Sequence, residues 1–309
     1  MKNLLIMVIT SLLIASCGGG GGAASGTSTS SDSSSDQDTT PITAEAMPVD
    51  QTVQYRMRIS TDLSFNTSFS GQEDLDFNVF FFKYESPISV AAIESFVSEP
   101  LGCRVKHQTE SEKQEEINAQ AEVSNTSWAS AGDVLTVTAP TGTWAELVQG
   151  SSLPWYMINS DGIHSEGNYP VGTVLNIPGD EFPGVGDIQL TDIERLTGIA
   201  YFQNGREINS TVPANANTKF VWNKSSIAGS TVVVEFHETY AGEKNDGESI
   251  YSSVRCVAED TGQFEFPENI RNTMESEYPN YIIYRQINSF DVRDNVLIRK
   301  LARSYGKGN

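Results

Sequence analysis

Beyond about residue 50 the chain is a succession of short runs in which apolar and polar residues alternate, each cut off by glycine, proline or asparagine. Val53-Gln-Tyr55-Arg-Met57-Arg-Ile59 has the two-residue period of a strand with one buried face. Leu75 to Tyr84 (LDFNVFFFKY) is richer in aromatics and reads as a strand covered on both faces. Asp133 to Thr138 follows an Ala131-Gly132 turn, and Gly172 to Ile177 ends at Pro178-Gly179. The pattern resumes in Thr218 to Trp222, Thr231 to His237 and, after the turn signal Asn245-Asp246-Gly247, in Ser249 to Ala258. Tyr281 to Ile287 and Asn295 to Tyr305 close the series. Helical periodicity is scarce. Ser89 to Val97 fits a short helix or a strand, Glu110 to Ala121 fits a polar helix or an exposed loop, and Pro267-Glu268-Asn269-Ile270 opens a short helix.

Short strands at turn-punctuated intervals predict an all-β fold. The length from Val49 to Asn309 suits two ordinary domains. The break between them is placed near Val185 to Leu190, at the end of the linker-like stretch Pro178 to Gly186, which is rich in glycine and proline. The expectation is two Ig-like β-sandwich domains in tandem, residues 49–187 and 188–309. No repeat of 20–50 residues is visible, which argues against a solenoid or propeller.

The N-terminus carries a different message. Met1-Lys2-Asn3 supplies one positive charge, Leu4 to Ala15 is almost unbroken apolar sequence, and Ile14-Ala15-Ser16-Cys17 closes it. This is the layout of a secretory signal peptide, 1–16, and too short for a spanning helix, which needs about 20 residues. With cysteine as the first residue kept, the pattern resembles the lipobox of bacterial lipoproteins. The resemblance implies a diacylglyceryl thioether on Cys17, an acylated new N-terminus, and a membrane partner engaged through that lipid. Gly18 at the next position implies, by the same resemblance, sorting to the cell outer membrane, on either face. Residues 17–48 contain a five-glycine run followed by Ala, Ser, Thr and Asp, and have little to bury. They read as a disordered tether with an r.m.s. reach of roughly 30 Å. Ile177 to Pro183 (IPGDEFP) and Cys256 to Phe264 (CVAEDTGQF) further resemble segments of Gram-negative envelope lipoproteins.

Twenty Lys and Arg stand against 40 Asp and Glu, a formal net charge of −20. That balance excludes nucleic acid as a partner, because such binding rests on Lys and Arg neutralising phosphate. With Cys17 consumed by lipid, Cys103 and Cys256 are an even pair in an oxidising compartment. They form either a disulfide joining the two halves or two buried thiols in separate cores. No Cys-x-x-Cys is present.

Catalytic motifs are missing. No serine sits in Gly-x-Ser-x-Gly, and His237-Glu238-Thr-Tyr-Ala241 has alanine where a zinc site needs its second histidine. Gly184-Val-Gly186 lacks the third glycine of a dinucleotide loop. No cofactor and no metal site is expected: Asp161, His164 and Glu166 share a loop, but such polar loops are ordinarily solvated. Trp155, Tyr156, His164 and Tyr169 suggest a stacking platform for a sugar ring. The competing assignment puts Trp128, Trp144, Trp155 and Trp222 in sandwich cores. Asp180-Glu181 offers paired carboxylates, with nothing in sequence to set their separation. The expected function is a non-enzymatic binding or structural role in the cell envelope, its partner an envelope protein or glycan. The alternatives are a glycan-binding adhesin module and a carboxylate-based glycan hydrolase.

Overall fold

The structure, a computed structural model, describes residues 51–65, 73–97, 99–115, 126–150, 155–158, 169–209, 214–244, 247–274 and 281–306. Cys17 and the 17–48 tether lie outside them. The elements in chain order are β1 (Thr52–Phe65), β2 (Glu73–Ser89), α1 (Val90–Val97), β3 (Gly102–Thr109), β4 (Thr126–Trp128), β5 (Val134–Ala139), β6 (Gly142–Gln149), β7 (Tyr156–Ile158) and β8 (Val174–Ile177). There follow β9 (Gly186–Gln189), β10 (Ala200–Gln203), β11 (Arg206–Ile208), β12 (Thr218–Val221), β13 (Thr231–Glu243), β14 (Ser249–Glu259), β15 (Gln263–Glu265), α2 (Glu268–Arg271), β16 (Tyr281–Arg293) and β17 (Val296–Tyr305). The chain is all-β. Val90 to Val97 is the helix of its two alternatives, with the Ser89 hydroxyl accepting from Ala92 N at 3.2 Å as an N-terminal cap.

One 13-stranded sheet runs in the order β3-β14-β13-β16-β17-β1-β2-β7-β6-β5-β8-β9, with β4 added beside β2. A second sheet has the order β11-β10-β12-β15. All described pairs are antiparallel except β1 with β17, where the first and last strands run side by side from Tyr55↔Val296 to Leu63↔Ser304. Period-two alternation then sorts every side chain to one of two faces.

One face is apolar along most of its length and builds two cores. At one end Met57, Ile59, Val79, Phe81 and Ile298 meet Leu135, Val137, Leu147, Leu175 and Ile188, so β5, β6, β8 and β9 curl back over β1 and β2. At the other end Val232, Val234, Phe236, Val254 and Ile283 meet Tyr201, Phe220 and Trp222 of the smaller sheet. Phe77, Val79 and Phe81 are buried on this face while Phe82 and Tyr84 are buried on the other, so β2 is covered on both sides as its composition implied.

The sheet order does not divide the chain at 187/188 into two Ig-like sandwiches, and three contacts explain why. β3, from the first half, pairs with β14 in the second from Thr109↔Ile250 to Gly102↔Val257. β17 from the second half pairs with β1. The supposed linker is a packed turn: Phe182 is fully buried against Tyr55 and Phe81, its N–H donates to Ser130 O at 2.7 Å, and Gly179 adopts a positive φ of 89°. A Cβ on Gly179 would collide with the backbone of Gly184, so these glycines serve a close chain approach. Cys103 and Cys256 are bonded, directly opposite each other in the β3–β14 ladder.

Between the two cores Arg285 stands on the apolar face, only 1% exposed. Its five N–H groups are all used. Nε donates to Asp260 Oδ2 at 2.6 Å and Nη1 to Arg195 O at 2.6 Å and Glu194 O at 3.3 Å. Nη2 donates to Asn223 O and to Asp260 Oδ1. Asp260 also accepts from Trp222 Nε1 at 2.6 Å and Ser230 Oγ at 2.9 Å. The chain crossing from one core to the other is thereby fastened to the sheet.

Candidate functional site

Of the expected stacking platform, the three residues that the structure describes do not share one open surface. Tyr156 is fully buried, edge-on to Phe81 at 5.4 Å, with its hydroxyl donating to Gly132 O at 2.5 Å and accepting from Ala131 N at 3.0 Å. Tyr169 is buried beside Phe77 and Trp144, donates to Thr191 O, and burial pushes its hydroxyl up to about 12. Both are core residues. His164 lies outside the described residues. Trp155 alone is half-buried, because neighbours in extended chain point to opposite sides and Tyr156 takes the inside. Of the other tryptophans Trp222 is buried and Trp128 is 45% exposed. Asp180 and Glu181 belong to the packed turn, where Glu181 Oε2 accepts from Ser130 N at 3.3 Å.

Trp155 instead joins an aromatic strip on the second face of the large sheet. Phe80 and Phe82 of β2 lie 6.4 Å apart with nearly parallel rings. Trp155 is 5.6 Å from Phe80, and Trp128 is 4.6 Å from Phe82 and 6.3 Å from Phe80. Register dictates this grouping: Trp128 of β4 is opposite Phe82, and residues two apart on β2 share a face.

The same register sets arginines beside the rings. Arg56 is opposite Phe82 and Arg58 opposite Phe80 on β1, and Arg58 is opposite Arg299 on β17. The Arg56 guanidinium sits 4.5 Å over the Phe82 ring, Arg58 5.4 Å over Phe80, and Arg299 5.8 Å over Phe290. Farther along this face Arg303 and Arg255 are engaged by acids. Arg303 pairs with Asp62 through Nε and Nη2, each at 2.5 Å. Arg255 donates to Glu99 Oε2 at 2.9 Å, to Tyr284 Oη at 2.7 Å and to Glu235. Gln286 Nε2 adds a 2.8 Å bond to Glu99.

Three carboxylates of this face, Asp62, Glu99 and Glu235, are therefore claimed by Arg303 and Arg255. Burial alone would raise Glu99, but Arg255 and Gln286 outweigh it and hold the carboxyl below its usual range. Asp62 likewise outweighs burial at Arg303 and raises it. At the central arginines burial wins, although Asp62 and Glu99 act on Arg58, and Glu99 on Arg299, in the opposite direction. Burial, then the positive charge of Arg303, lowers Arg58 to about 10; burial, then Arg58 itself, lowers Arg299 to about 9. Arg299 Nε donates to Asn288 at 3.0 Å, whereas the buried Nε atoms of Arg56 and Arg58 have no hydrogen-bond partner.

Sequence reasoning read Tyr55-Arg-Met-Arg-Ile59 only as a strand and passed over its arginines. The signal was present: Arg56 with Arg58, and Arg299 with Arg303, have equal parity on their strands in a chain with twice as many acids as bases.

Elsewhere a depression of about 530 Å³ opens on the smaller sheet between Phe202, Lys219, Glu265 and Arg271. It is crossed by the Lys219–Glu265 ion pair at 2.8 Å. Among the described residues no group of three or more His, Cys, Asp or Glu is placed to hold a metal, and no helix is long and apolar enough to cross a membrane. No known protein family and no curated protein sequence matches the chain.

Proposed function

We propose that the chain is a non-enzymatic binding protein, held to the cell outer membrane by lipid on Cys17, that takes up a ring-bearing saccharide on its aromatic strip. The observation that carries this reading is the cluster Phe80, Phe82, Trp128 and Trp155 on a partly open sheet face. Trp128, large and apolar, is one of the most exposed residues of its kind, and such rings suit the apolar faces of sugars. Three of the four rings stand on paired strands, Phe80 and Phe82 on β2 and Trp128 on β4, which sets their spacing by register. The signal sequence and the Gly/Ser/Thr stretch support display near a membrane.

Two measurements test the reading. Mass analysis of the mature protein is expected to find acyl chains that vanish in Cys17→Ser. Titration of the full mature lipoprotein in detergent with a panel of envelope-type saccharides is expected to change tryptophan fluorescence, and Trp128→Ala and Trp155→Ala are expected to weaken binding. Saccharide binding unaffected by both substitutions would place the ligand elsewhere. An unmodified Cys17 would remove the anchor.

A further inference from the structure

We infer that Arg56, Arg58 and Arg299 form an oxyanion site that receives the phosphate, sulfate or carboxylate of an acidic saccharide whose ring lies on the adjoining aromatic strip. The inference deepens the binding reading above and rests on it for the ring, but not for the anion.

Three observations carry it. The first is imbalance. In a chain of net charge −20, Arg56, Arg58, Arg299, Arg303 and Arg255 share one sheet face, and of its acids Asp62, Glu99 and Glu235 are paired with Arg303 and Arg255. Among the acids whose side chains the structure describes, none forms an ion pair with Arg56, Arg58 or Arg299. The second is unspent hydrogen-bonding capacity. Stacking on Phe82 and Phe80 uses one face of each guanidinium plane, while the N–H donors lie in the plane. The Nε donors of Arg56 and Arg58 are buried and unpartnered, although both residues keep part of their surface open to solvent. A fork of in-plane donors is matched to a planar or tetrahedral oxyanion. The third is electrostatic crowding. Arg58 and Arg299 face each other across β1 and β17, and each is lowered by burial and by positive neighbours. Asp62 and Glu99 offset this only in part, and a bound oxyanion would offset it further. The aromatic strip adjoins them, so a ligand carrying both ring and anion meets both at once.

The test uses the full mature lipoprotein in detergent. Its melting midpoint is followed in sodium phosphate and in sodium sulfate against sodium chloride at equal ionic strength. Phosphate and sulfate are expected to raise the midpoint in a saturable way. Arg58→Gln and Arg299→Gln are expected to weaken phosphate binding about ten-fold or more. Both variants are also expected to melt no lower than the parent in chloride, since each removes one of several crowded like charges. Lys219→Gln on the smaller sheet removes one positive charge elsewhere and is expected to keep the full phosphate response. Equal midpoints in phosphate and chloride would overturn the site, as would an undiminished phosphate response in both arginine variants. A second arm compares glucose, glucuronate and glucose 6-phosphate by tryptophan fluorescence. Tighter binding of the two acidic sugars, lost in Arg58→Gln, supports the acidic-saccharide assignment. A phosphate response with no sugar response keeps the anion site and removes the ring-stacking reading. Sugar binding with no preference for acid, and no phosphate response, removes the anion site alone.

Discussion

Reducing the Cys103–Cys256 bond is expected to destabilise the whole chain and not one half of it. The two cysteines are 153 residues apart, and the enclosed segment contributes strands to both cores. In the chain-entropy treatment a closed loop of that length restricts the unfolded state by about 5 kcal/mol at 25 °C. Domains of ordinary stability have only about 5–15 kcal/mol in total, so this is a large share. Reduction is a cleaner perturbation than deletion, because both sulfur atoms stay in place. Cys256 is fully buried, and Cys103 packs against the second core, so replacing either by a smaller residue would add a cavity to the measured loss.

The assay is urea unfolding with and without reductant. With a slope near the upper end of the usual range, about 3 kcal/mol/M, the midpoint is expected to fall by about 1.5–2 M. Hydrogen exchange adds the spatial test. Protection at Val79 in one core and Val234 in the other is expected to fall together, since β3–β14 and β1–β17 tie the sheet into one cooperative unit. An unchanged midpoint would refute the loop argument. A fall confined to Val234, with Val79 unmoved, would refute the single cooperative sheet.

Asp260→Asn is expected to cost about 3–5 kcal/mol, because it leaves the Arg285 cation buried without its counter-charge. Thermal unfolding would check it; a loss below 1 kcal/mol would mean that backbone carbonyls alone satisfy Arg285. Acid is expected to weaken the parent through Glu99, whose folded-state value is depressed: its contribution is complete above the ordinary carboxylate range and is lost as pH falls through that range and below. Glu99→Gln is expected to be less stable at neutral pH by about 1–3 kcal/mol and to lose stability less steeply toward pH 3, measured by urea midpoints across that interval. A parallel pH dependence in variant and parent would contradict this assignment.

What was legible in the sequence was local. Alternation in Val53 to Ile59 and Thr231 to His237 announces strands, because a pleated strand buries every second residue whatever its partner. Pairing partners are not encoded that way. Nothing in Gly102 to Thr109 says that its ladder lies some 150 residues onward, and Pro178 to Gly186 has the composition of a linker although Phe182 anchors it in a core. The site followed the same division. Arg56 and Arg58 show their shared face in sequence, but Arg299 reaches them only through a parallel pairing between the first and last strands, a relation set by the whole fold. That also explains why an acidic chain kept the cluster hidden from a charge count. Sheet pairing separates what composition averages: Asp62, Glu99 and Glu235 are spent on Arg303 and Arg255, and Arg56, Arg58 and Arg299 gather beside the aromatic strip. A local cation site on a strongly acidic protein attracts anions only at close range, because the surrounding negative field repels them and salt screens the long-range part. Its selectivity must then come from contact geometry, the in-plane N–H donors beside the aromatic strip, and not from steering.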